Sequence, residues 1–141
     1  MNRTLLWLDD LRDPFTLNWL YDYAINYIDY EDNLEIKIVW VKSFDEFKTW
    51  IETHGLPTTI GFDHDLGEDI AKEMVAQGTS KKKARLIKKE APSGYDAAKW
   101  LVEYCMDNNR SIPEYFIQSA NPVGKVHIET YLENAKKHLD L

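Results

Sequence analysis

Apolar positions along the chain form short continuous runs that alternate with stretches of helical spacing. Residues 4–9, TLLWLD, are an apolar run ending in acids, as expected of a strand buried on both faces. Asp13 and Pro14 then stand as N-cap and first residue of a helix, FTLNWLYDYAINYI, in which Leu17, Leu20, Tyr21, Ala24, Ile25 and Ile28 share one face. In EIKIVWVKS (35–43), Ile36, Ile38 and Trp40 alternate with Lys37, Val39 and Val41, which predicts a second strand. Ser43 and Glu46 form a capping box for FDEFKTWIETH, and Gly55 stops that helix. PTTIGFD is the third strand. After a basic segment, Ser93 and Asp96 repeat the capping pattern ahead of GYDAAKWLVEYCMDN, with Ala97, Trp100, Leu101, Tyr104 and Cys105 along one face. IPEYFIQ (112–118) is the fourth strand, and PVGKVHIETYLENAKKHL the closing helix.

Strands alternating with helices in this way predict a three-layer α/β fold, a mainly parallel sheet with helices on both faces. Such sheets bind ligands at the carboxyl ends of strands, where the strand order reverses. With the order 2-1-3-4, strands one, three and four are neighbours. Their ends carry Asp9 and Asp10, then Asp63, His64 and Asp65, then Ser119 and Asn121.

Composition narrows this picture. A chain of 141 residues with 44% hydrophobic and 13% aromatic content is expected to form a single domain, residues 1–141, with one core. Cys105 is the lone cysteine, which excludes an internal disulfide, and its helical apolar setting reads as a core thiol. The opening MNRTLLWLDD has an apolar run too short for a signal peptide or a membrane span, so a cytoplasmic protein is expected, with no membrane partner. A net charge of −7 argues against a surface built wholly for nucleic acid. The charge is uneven, however. Residues 66–92, which include KKKARLIKK, hold seven Lys and Arg against four acids, net +3, leaving −10 for the rest. This helical or loop insert after the third strand is either a solvated charged face or a basic patch beside the acidic strand ends, suited to a phosphate-bearing ligand. Five Trp and eight Tyr, with Trp19, Tyr23, Tyr27 and Tyr30 strung along the first helix, leave room for a protein partner.

The acids at the strand ends carry the chemistry. Like charges at the end of buried strands persist only where solvent, a cation or a proton compensates them. Asp9, Asp10 and one of Asp63 or Asp65 would give an oxygen-rich cluster for Mg²⁺ or Mn²⁺. The plainer alternative is that Asp9 and Asp10 cap the turn before Pro14 while Asp63 and Asp65 form an Asx-turn. His64, flanked by acids, is a general acid or base unless a continuing strand turns it to the opposite face. His54 reads as a partner of its helix C-terminus, and His127 and His138 as surface residues. In SANPVGK, Pro122 suits the first helical position and Asn121 the N-cap, leaving backbone N–H groups to meet an anion. Ser119 and Asn121 add side-chain donors, Gly124 permits close approach, and Arg12 either clamps a phosphate or pairs with Asp13.

The motifs LWLDDLRDP, GFDHDLGE, SGYDAAKWL and FIQSANPVGK together resemble the cyclic-phosphate processing receiver-like family, a relative of response-regulator receiver domains, over nearly the whole chain. The resemblance implies a receiver-like (flavodoxin-like) αβα fold and the processing of cyclic phosphates in contexts linked to RNA repair. On that basis the expected activity is a phosphoric ester hydrolase acting on a cyclic-phosphate nucleotide or RNA end. Asp63, His64, Asp65 and Asp10 would be catalytic, Asp9, Asp10 and Asp63 would hold the cation, and Arg12, Gln118, Ser119, Asn121, Gly124 and Lys125 would face the phosphate. Two departures stand out. A receiver's fifth strand with its lysine is not expected after the last helix, where Lys125 is the lysine nearest the fourth-strand motif. The histidine expected before the serine of SANPVG is Gln118, an amide that can orient a ligand but does not titrate. Two other readings remain: a non-catalytic signalling or phosphate-binding module with Asp63 as phosphoacceptor, and a haloacid-dehalogenase-like phosphatase suggested by FDHDLG. The latter family carries its nucleophilic motif on the first strand rather than the third.

Overall fold

β1 (Arg3–Leu8) is the strand around which the sheet is laid out in the computed structural model, which describes residues 3–11, 13–15, 36–66, 73–90, 92–119 and 121–139. β2 (Ile36–Val41) pairs with one edge of β1 and β3 (Thr59–Phe62) with the other, and β4 (Glu114–Ile117) pairs with β3. All three pairings are parallel, in the order β2-β1-β3-β4. The order therefore reverses between β1 and β3, where a parallel sheet opens a crevice at its carboxyl edge. Register makes that edge level, since Leu8 stands beside Val41 and Phe62, and Phe62 beside Ile117. Asp9, Asp63 and Gln118, the next residues on three adjacent strands, leave the sheet at one height.

Around the sheet lie helices α1 (Phe44–His54), α2 (Lys81–Glu90), α3 (Gly94–Asp107) and α4 (Pro122–Leu139), and residues 73–76 are helical as well. Both capping boxes form: the Ser43 hydroxyl accepts from the Glu46 N–H at 3.1 Å, and Ser93 and Asp96 satisfy each other's backbone N–H groups. Alternation along the strands sends Leu6, Leu8, Ile60, Phe62 and Ile117 to one face. There they meet Phe47 and Ile51 of α1, Ala97, Leu101 and Cys105 of α3, and Ile128 and Leu132 of α4. Each large side chain so buried stabilises the fold by about 1.5–3 kcal/mol relative to exposure. The opposite face carries Trp7 and Phe116, both buried, with ring centroids 6.0 Å apart.

The observed strands lie within the predicted runs to about one or two residues at each end. The helix expected over 15–28, with its stripe of Trp19, Tyr23, Tyr27 and Tyr30, lies outside the described residues, apart from Phe15. The basic stretch 81–90 is helical, with the Ser80 hydroxyl accepting from the Lys83 N–H. Within it Ala84 is buried while Lys81, Lys82, Lys83 and Arg85 are exposed. Among the described residues, no helix is long and apolar enough to cross a membrane.

Candidate functional site

The turn after β1 is held from three sides. The Asp9 N–H donates to the Val41 carbonyl at 3.1 Å, continuing the β1–β2 ladder. The Trp40 indole Nε1–H donates to the Asp9 carbonyl at 2.7 Å, and Asp9 Oδ1 accepts from the Leu11 N–H at 3.0 Å. That last bond is the turn-capping contact the plainer reading gave to Asp9, and it engages one oxygen of a two-oxygen carboxylate. Further along, Asp13 Oδ1 accepts from the Phe15 N–H at 2.8 Å, which fits its predicted capping position.

The turn after β3 meets the first turn directly, because the Asp63 N–H donates to the Leu8 carbonyl at 2.9 Å. Each of Asp9, Asp10 and Asp63 consequently offers a carboxylate oxygen within 4.8 Å of the others. The three are only 1, 4 and 6% exposed. Two full negative charges at that separation repel by about 3 kcal/mol at an effective dielectric of about 20, so three buried together require a compensating positive charge or proton. An all-oxygen, acidic donor set of this kind matches the preference of Mg²⁺ and Mn²⁺. Sequence left open which of Asp63 and Asp65 joins the cluster. Asp63 does, whereas Asp65 Oδ1 lies 3.1 Å from His64 Nδ1.

Pairing ends at Phe62, so the strand alternation that would have turned His64 away from its flanking acids does not extend to it. Its half-buried ring lies instead against the start of α4: a Cβ built on Gly124 would sit 2.4 Å from His64 Cγ. α3 begins just as closely, with the Gly94 N–H donating to the His64 carbonyl at 2.8 Å and a Cβ on Gly94 falling 1.8 Å from the Asp63 carbonyl oxygen.

At the start of α4, Asn121 Oδ1 accepts from the Gly124 N–H at 3.0 Å, the expected N-cap, and the Ser119 hydroxyl accepts from the Asn121 N–H at 3.1 Å. Lys125 is half exposed, its ammonium 4.0 Å from Glu129 on the helix surface. Gln118 is fully buried and donates from Nε2 to the Leu8 carbonyl at 2.9 Å. Arg12 lies outside the described residues. His54 turns back on its helix, Nδ1 3.0 Å from the Trp50 carbonyl and its ring stacked on Trp50, and His127 and His138 are exposed. Burial pushes the Cys105 thiol up to about 11, an inert core group.

Sequence reasoning did not anticipate the Trp40 indole bond, the close approaches at Gly61 and Gly94, or that the His64 ring is what presses on Gly124. Gly61 inside a strand was the available signal, since a strand glycine marks a close approach.

A model of the cyclic-phosphate processing receiver domain matches residues 4–134. Comparison with curated proteins gave no match, and neither did comparison with solved structures.

Proposed function

The chain belongs to the cyclic-phosphate processing receiver domain family, and from that premise and the site geometry we propose that it is a metal-assisted phosphoesterase that opens a cyclic phosphate on an RNA end or small nucleotide. The observation that carries the reading is the convergence of Asp9, Asp10 and Asp63, buried and within 4.8 Å, from the ends of adjacent strands. These three carboxylates would hold Mg²⁺ or Mn²⁺. When bound, such an ion supplies Lewis acidity to a phosphoryl oxygen and lowers the pKa of water.

The chain's own groups account for the rest. Ser119 and the start of α4 lie at the end of β4, next to β3 in the sheet, and offer the phosphate oxygens a hydroxyl donor and the positive end of the helix dipole. The Ser119 hydroxyl accepts from Asn121, which leaves its own hydrogen to donate. Asp65, when ionised, is an acceptor, so it selects the His64 tautomer with hydrogen on Nδ1 and leaves Nε2 to take up a proton. In hydrolysis a water oxygen bonds to phosphorus as one ribose oxygen departs. The water loses a proton and the departing oxygen gains one, giving a phosphomonoester, and His64 is the residue assigned to carry that proton.

Phosphorus NMR of 2′,3′-cyclic nucleotides and cyclic-ended RNA, with Mg²⁺ or Mn²⁺ against chelator, tests this. Cation-dependent appearance of a monoester, lost in Asp63→Asn, is the expected result, and the product isomer identifies the bond that breaks. No turnover across the panel would shift the assignment to a receiver-like module without catalysis. The buried position of Asp63 in the acidic triad supports that second reading. It predicts that acetyl phosphate adds one phosphoryl group to Asp63, seen by intact mass.

A further inference from the structure

The Leu8 carbonyl is a junction of the two acidic turns. It accepts the Asp63 backbone N–H at 2.9 Å and the Gln118 Nε2–H at 2.9 Å, so both of its lone pairs are engaged. Leu8 is the residue before Asp9. Gln118 also donates its backbone N–H to the carbonyl of Phe62, the residue before Asp63, at 2.9 Å. One fully buried residue just past β4 thus reaches the last residue of β1 through its side chain and the last residue of β3 through its backbone N–H.

This reach is longer than a strand neighbour's, because Gln118 must pass over β3 to arrive at β1. Gly61 makes the passage possible. A Cβ there would lie 2.9 Å from Gln118 Oε1 and 2.8 Å from the Phe116 ring, both closer than real contacts allow. The paired absence of a side chain at 61 and presence of an amide at 118 is what delivers the donor to Leu8.

We propose that Gln118 is a positioning residue that fixes the spacing of Asp9, Asp10 and Asp63, and with it the cation affinity of the cluster. It acts through the Leu8 carbonyl and touches neither cation nor phosphate. The inference rests on the cation reading above. It departs from the sequence-based expectation that this amide orients the phosphate. A divalent ion of Mg²⁺ size demands near-ideal geometry, so loosening one strand end relative to the next weakens binding even when every carboxylate remains.

The test is Mn²⁺ binding, followed by calorimetry and by the spin resonance of free Mn²⁺, in the wild type and in Gln118→Met, which preserves length and volume but has no donor. Gln118→Met is expected to weaken Mn²⁺ binding at least tenfold while its metal-free unfolding transition stays cooperative. Unchanged affinity in a folded Gln118→Met overturns the proposal. If the wild type itself binds no Mn²⁺ at millimolar concentration, the cation reading beneath it fails instead, and the two failures are distinguishable. Should Gln118→Met not fold, the wild type still decides. Its Gln118 side-chain amide signals are expected to exchange slowly with solvent and to shift on Mg²⁺ titration with the same midpoint as Asp9 and Asp63 backbone signals. Rapid exchange or no response to Mg²⁺ overturns the assignment.

Discussion

Replacing Gly94 by Ala sets two effects of opposite sign against each other, and the structure decides between them. Gly94 is the first residue of α3 after the Ser93 N-cap, and alanine in place of glycine favours a helix by up to about 1 kcal/mol, less in the first turn. Against this, the added Cβ would fall 1.8 Å from the Asp63 carbonyl oxygen, more than 1 Å inside the 3.0 Å that such contacts respect. The obstructing atom is backbone, held by the ladder bond from the Asp63 N–H to Leu8 and followed by the bond from the Gly94 N–H to the His64 carbonyl. No rotamer change relieves it. Either the start of α3 or the β3 turn must move, and overpacking of this kind costs about 3 kcal/mol or more. The net expectation is a loss of at least about 2 kcal/mol, a fall in Tm of roughly 6–8 °C for a chain of this size. Urea and thermal unfolding measure it, with Ser93→Ala as an internal scale. That change removes only a capping hydroxyl, at about 1 kcal/mol. If Gly94→Ala unfolds no more easily than Ser93→Ala, the tight seating of α3 on the acidic turn is wrong. The same displacement would carry the Asp63 carboxylate with it, so Mn²⁺ affinity is expected to fall in parallel.

Other consequences are equally open to measurement. Asp63→Asn removes one of three mutually repelling buried charges, so in chelator its Tm is expected to rise above that of the wild type, whereas the wild type alone gains stability from Mg²⁺, about 1.4 kcal/mol at ten times Kd. Thermal unfolding with and without Mg²⁺ reads both effects, and an equal response in the two proteins would remove the acidic cluster from consideration. Because burial raises the Cys105 thiol from 9.0 to about 11, the native state keeps a proton that the unfolded chain releases. Stability linked to this group is therefore full below pH 9 and lost as pH rises through about 11, by up to roughly 3 kcal/mol. Urea titrations from pH 8 to 10.5 should show a steeper decline in the wild type than in Cys105→Ala, and parallel declines would contradict the linkage. Gly124→Ala is expected to push the His64 ring aside, since its Cβ would meet Cγ at 2.4 Å, with changed His64 ring signals by NMR and lowered turnover. Unchanged ring signals would count against the packing that orients His64.

Sequence alone determined much of the frame, because the signals involved are local. A buried parallel strand is a continuous apolar run, as in TLLWL, and a helix start is a hydroxyl followed three residues later by an acid, as at Ser43 and Glu46 or Ser93 and Asp96. These patterns need only neighbouring residues, and they placed the strands, the helix starts and the acids at the ends of β1 and β3, whereas the order β2-β1-β3-β4 entered as the order expected of a receiver-like sheet, which the structure shows. What depends on distance through space was decided by the tertiary structure. Asp63 and Asp65 are equivalent in the sequence, and only the end of β3 at Phe62, with the Asp63 N–H on Leu8, places one in the cluster and leaves the other beside His64. Gln118 read as a ligand-facing amide, and only register sets it level with Leu8, its Nε2–H on that carbonyl across a glycine. Gly61, Gly94 and Gly124 gave no hint of what fills the space above them, because a glycine records an approach without naming what approaches. Periodicity fixes which face a residue occupies, whereas angstrom-scale convergence arises only when strands from distant parts of the chain end at the same height.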